Sequence, residues 1–233
     1  MKTKRRGIRI LLIVIVCFAV LRLCMPSIVL HFVNKKLAAL DGYYGHVDDI
    51  DIALYRGAYV VNDIYINKVD SVTKKQTHFF SCPEIDLSVE WSAIFKGKIV
   101  AEVEFEKPVV KYTLHKTIGE KTSDTVDFIQ LVKDFVPVKI NRFSVSGGEV
   151  HYVDQNEKPP VDIVLGNISI EATGFTNEPE KTKLLPASII FKGDLYDGKL
   201  VVDVKLDPLS KIPVFDLNAE LTQTNLVYLN PFF

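Results

Sequence analysis

The chain has 233 residues, with 28 Lys and Arg against 29 Asp and Glu and a formal net charge of -1. That balance gives no global attraction to nucleic acid, and a disulfide framework is excluded, because Cys17 and Cys24 lie in an apolar N-terminal segment and Cys82 stands alone beyond it. About 200 residues remain outside that segment, enough for one large all-β domain or two smaller ones.

Lys2, Lys4, Arg5, Arg6 and Arg9 precede an almost wholly apolar stretch from Ile10 to Val33, whose leading anchor residues are Ile10, Leu12, Val14, Phe18 and Leu21. At about 1.5 Å per residue the stretch spans the roughly 30 Å of bilayer hydrocarbon. The positive flank places the N-terminus in the cytoplasm. The chain then divides into a basic segment 1–9, a transmembrane signal anchor 10–33 and a β domain 34–233 on the far side of the membrane. Arg22 and Pro26 fit this least well, since a charge at helix centre costs roughly 2.5–3.5 kcal/mol unless its stem snorkels. A cleaved signal peptide is the alternative. Arg22-Leu23-Cys24-Met25-Pro26 stands where a small-x-small cleavage site would be needed, which favours the uncleaved anchor.

Ser27–Leu40 keeps a helical pattern that Asp41-Gly42 ends. From Val47 the period becomes two: Ile50, Ile52 and Leu54 alternate with Asp49, Asp51 and Ala53, Arg56-Gly57 turns, and Tyr59, Val61, Ile64 and Ile66 return. Asp70–Gln76 reads as a loop, Ile85–Trp91 as a strand and Ser92–Lys98 as a short helical turn feeding the strand Ile99–Glu106. In that strand Ile99, Ala101, Val103 and Phe105 share one face, and Glu102, Glu104 and Glu106 the other.

Pro108 starts a new strand, Val109–Leu114, at an edge or bulge. Ser123-Asp124 caps a helix through Phe135 that Pro137 ends. Val138–Val145 and Glu149–Val153 read as a hairpin turned by Gly147-Gly148, and Pro159-Pro160 separates it from Val161–Ala172. After the charged loop Thr176–Lys183, a meander follows in Ala187–Leu195, Leu200–Leu206 and Val214–Leu221, with Asp197-Gly198 as a hairpin signal. The expected fold is mainly β: a transmembrane helix, then an elongated, curved, mostly antiparallel sheet forming an open trough, with one or two short helices.

No set of residues points to catalysis. The five histidines, His31, His46, His78, His115 and His151, fall in five segments with no zinc-ligand spacing, and there is no nucleophile elbow, Walker loop or dinucleotide glycine triad. Asp48, Asp49 and Asp51 lack the glycine and distal glutamate of a calcium loop. No enzymatic activity, metal or cofactor is expected.

Four segments taken together, Val47–Ile66, Ile85–Val100, Lys139–Asp154 and Phe215–Phe232, resemble the AsmA-like family of bacterial envelope proteins. Each is a degenerate strand pattern, and their order carries the resemblance. It implies a single-pass inner-membrane protein whose periplasmic bent sheet carries phospholipid toward the outer membrane along an apolar groove, supporting outer-membrane homeostasis without catalytic residues.

Ile99, Val103, Phe105, Val202 and Val204 are the groove candidates. They would shelter acyl chains that cost about 0.8 kcal/mol per CH₂ in water. Family members often continue well beyond Asn230-Pro231-Phe232-Phe233, so the apolar last strand points to a truncated member or to a partner strand from another envelope protein. The competing expectation is a non-catalytic envelope scaffold or assembly factor in which the same residues close into a dry core.

Overall fold

In the computed structural model, residues 2–53, 57–70, 72–89, 101–114, 140–154, 161–175, 184–207, 210, 214–225 and 227 are described. Among these residues one helix, α1 (Lys2–Leu37), precedes ten strands: β1 (Tyr43–Ala53), β2 (Ala58–Val69), β3 (Gln76–Val89), β4 (Ala101–Glu106), β5 (Val109–Leu114), β6 (Ile140–Asp154), β7 (Val161–Thr173), β8 (Ala187–Leu195), β9 (Gly198–Leu206) and β10 (Phe215–Thr222). All ten form one sheet in the order β1-β2-β3-β4-β6-β7-β8-β9-β10, with β5 pairing β3 and β6 beyond the end of β4. Only β4 and β5 pair in parallel, each with β6; the other pairings are antiparallel. The expected helix at 123–135 and helical turn at 92–98 lie outside the described residues.

The helix is continuous through Pro26 and through the expected boundary at residue 34, and it ends at Leu37 instead of Leu40. Among the described residues no helical stretch is long and apolar enough to cross a membrane, and the side chains of Ile10, Val14, Phe18 and Leu21 lie outside the described residues. Several of the exposed positions that are described, Leu12, Ile13, Val20, Leu23 and Ile28 among them, are large and apolar.

The chain reverses over 38–42 with Gly42 at φ 71°, and β1 starts at Tyr43, earlier than the alternation suggested. Leu37 lies against Gly45, Asn34 against Val47, and Val29, Leu30 and Val33 pack on the core of Leu37, Val47 and Ile50. β1 therefore runs back along the last turns of α1. The Asn34 amide donates to Val47 O (2.8 Å) and accepts from Val47 N (2.7 Å), occupying the backbone groups that an edge strand would leave open.

β6 corrects one expectation. Gly147-Gly148 does not turn a hairpin: Ile140–Asp154 is one 15-residue strand, antiparallel to β7 along its length, parallel to β4 in its first half and to β5 in its second. The glycines form a bulge there, with Gly147 at φ 67° and the β6–β7 register shifting on both sides of Gly148. β3 is likewise longer than expected, reaching back to Gln76. The final meander forms as read, and the β8–β9 turn has both Tyr196 (φ 46°) and Asp197 (φ 67°) in the left-handed region that a two-residue hairpin of matching twist requires.

Candidate functional site

Directly paired residues on neighbouring strands share a face, so the registers trace rows of side chains across the sheet. One row runs Ile50, Val61, Ile85, Phe105, Val145, Ile170, Phe191, Val202 and Ala219. The next runs Ile52, Tyr59, Leu87, Val103, Phe143, Ala172, Ile189, Val204 and Leu217. Both begin beside α1 and end on β10, with no charged or hydroxyl side chain in either except the Tyr59 phenol. Four of the five groove candidates fall in these rows; Ile99 lies outside the described residues.

Burial changes along the rows. On β3 and β4 the side chains are covered: Cys82 (1 % exposed), Ile85 (8 %) and Val103 (7 %) form a core with Phe80, Leu87, Phe105 and Phe143 against it. Phe105 sits 5.5 Å from Phe143 and 6.4 Å from Phe80, ring centre to ring centre, within the range of favourable aromatic pairs. Val202 and Val204 are half-buried, and on β10 the face is open, with Phe215 at 61 % and Leu217 at 54 %. All eight residues of β10 are exposed.

The opposite face is ionic. Glu84, Asp86, Ser88 and Glu106, Glu104, Glu102 oppose one another across β3 and β4, and Arg142, Ser144 and Ser146 follow on β6. Arg142 reaches Glu171 at 3.6 Å, an exposed pair of small energetic weight. A recess of about 200 Å³ lies on this face between Asp86, Ser88, Glu102, Glu104, Arg142 and Ser144. Its lining suits water and ions, not an acyl chain. Among the described residues no group of three His, Cys, Asp or Glu could hold a metal ion.

Among the described residues, Cys82 is the buried thiol on the apolar side. Its thiol lies 3.0 Å from Glu84 O and 3.3 Å from Glu106 O, and burial pushes its pKa up to about 11, so it stays a protonated, unreactive packing group. His78 faces the other way, with its Nε2 3.2 Å from Ser81 Oγ. Desolvation first, and then the Lys111 cation, hold it below its ordinary value.

No protein-family model matches the chain, and no curated protein matches it. The reading of function therefore rests on the geometry above and on the sequence pattern.

Three features escaped the strand-by-strand reading. Asn34 was hidden because its partner, Val47, is distant in sequence and nothing about a lone asparagine names it. Phe80 and Phe143 sit in rows that only the register reveals. The third is a break in alternation: the apolar positions change parity within five strands and once more between β4 and β5, as in Val47 to Ile50, Ile64 to Val61, Cys82 to Ile85, Phe105 to Val110, Val145 to Gly148 and Val150, and Ile168 to Leu165. That signal is present in the sequence.

Proposed function

We propose that this chain is a membrane-anchored envelope protein of AsmA-like type that binds or conducts phospholipid between inner and outer membranes along the apolar face of its sheet. The apolar run Ile10–Val33 would anchor it in the inner membrane, with the basic N-terminus cytoplasmic and the sheet periplasmic. The observation that carries the reading is the pair of uninterrupted apolar rows crossing nine strands from α1 to β10, a length that a single folded core has no need of. The chain encodes no energy source, so movement would be passive and its direction set by partners. The outer edge of β10 is where an envelope protein partner would add a strand.

The test places a photoactivatable crosslinking residue at Val202 or Val204 in one set of cells and at Asp203 in another, then looks for phospholipid attached to the purified full chain. Adducts at 202 and 204 but not at 203 are expected. Equal labelling at all three positions, or at none, refutes the groove. A second reading, an envelope scaffold with a closed core, is favoured by the burial of Cys82, Ile85 and Val103, and it predicts no adduct at any of the three.

A further inference from the structure

The parity changes are not scattered. Asp48 and Asp63 face each other between the pairs Val47–Ile64 and Asp49–Asn62. Continuing the registers, Pro83 lies opposite Asp63, Lys107 opposite Pro83, and Gly147 beside Lys107, with Asn167 next to the Gly148–Ile168 pair on β7. Four of these six residues are in the left-handed region, Asp63 (φ 50°), Lys107 (φ 50°), Gly147 (φ 67°) and Asn167 (φ 49°). A fifth, Pro83, has no N–H to give. Two backbone bonds at this level, Lys107 N to Ser146 O (2.7 Å) and Glu149 N to Pro108 O (2.8 Å), bracket the bulge on either side.

The line stops at β7. Asn167 is tied to Asp194 of β8 (3.3 Å), which Lys199 of β9 also holds (2.6 Å), and the β8–β9 and β9–β10 ladders run without a register shift.

A sheet resists bending across its strands because each strand is stiff and its neighbours brace it; a weak point in one strand alone changes little. Weak points in register across every strand remove that bracing together. We propose that this line is a hinge crossing β1–β7, about which the two halves of the apolar face fold toward or away from each other, while β8–β10 stay a rigid plate. The Phe80–Phe105 contact, which bridges the line on the apolar side, is the element that opening would separate. If the face holds acyl chains, as proposed above, the hinge sets how tightly it grips them.

Double electron–electron resonance on the full chain in nanodiscs tests this. Spin labels go on Glu102→Cys and Lys111→Cys, exposed positions on either side of the line, and as a control on Lys205→Cys and Thr222→Cys, about 20 Å apart along the uncreased plate at roughly 3.3 Å per residue. Cys17 and Cys24 are replaced by serine, and the buried Cys82 is left in place. The expected result is a distance distribution across the line broader than that of the control pair by more than the labels' own spread. A cross-line distribution as narrow as the control overturns the hinge and leaves a fixed bend. Repeating the measurement after adding lysophosphatidylcholine bears on the lipid reading separately: a broad distribution that the lipid leaves unchanged keeps the hinge and counts against the groove.

Discussion

Val103 is 7 % exposed and packs with Cys82 and Ile85, so Val103→Glu would bury a carboxylate without a partner and cost on the order of 4 kcal/mol or more. Val202 is half-buried near the open end of the same face, and Val202→Glu should cost only about 1 kcal/mol. The alternation alone gives both valines one role, since it carries no information on what covers a face. Thermal melts followed by circular dichroism should therefore separate them, with Val202→Glu folded and Val103→Glu unfolded; under the proposed lipid function, mass spectrometry should also find Val202→Glu without phospholipid. His78 supplies a pH effect at the same scale. Its folded pKa lies below the ordinary 6.5, so the unfolded chain takes up the proton first and stability is lost as pH falls below that value. In His78→Asn the drop in melting temperature between about pH 7 and about pH 5 should be smaller than in the wild type; an equal drop would show that other groups carry it.

At the scale of the element, the strands and most of their order were legible because period two survives wherever one face is buried. β8, β9 and β10 were read almost to the residue: they keep a single parity, and the Asp197-Gly198 signal marks their turn. β3 and β6 were misread for one shared reason. A bulge inserts an odd residue, the apolar set changes parity, and a local reading takes the change for the end of a strand; glycines at 147 and 148 then look like a turn. Comparing neighbours would have exposed it, since a turn breaks one strand whereas this break recurs at one level in five strands and at the β4–β5 junction. Lys107 tests the assignment. A β-branched side chain at φ 50° is strongly disfavoured, so Lys107→Ile should cost about 1–2 kcal/mol. The same substitution at the exposed Lys205 of β9 should lie within about 0.5 kcal/mol of neutral, measured by urea denaturation of both.

The whole molecule is asymmetric end to end. At β1 the sheet is closed by α1: Asn34 occupies the Val47 backbone, and Val29, Leu30, Val33 and Leu37 cover the apolar face. At β10 both edge and face are exposed. An anchor and a domain meeting at residue 34 would be separable, but α1 passes through that point unbroken and its last two turns belong to the sheet's core. A chain beginning at Lys36 would therefore lose Asn34 and three of the four covering side chains, exchanging both Val47 backbone bonds for water at a cost of about 0.5–1.5 kcal/mol each before any loss of packing. A chain beginning at Ser27 keeps all of them. The second should melt cooperatively and at a higher temperature than the first, with slower amide exchange at Val47. If the two melt alike, α1 is a tether only, and the apolar rows begin at β1 instead of at the helix.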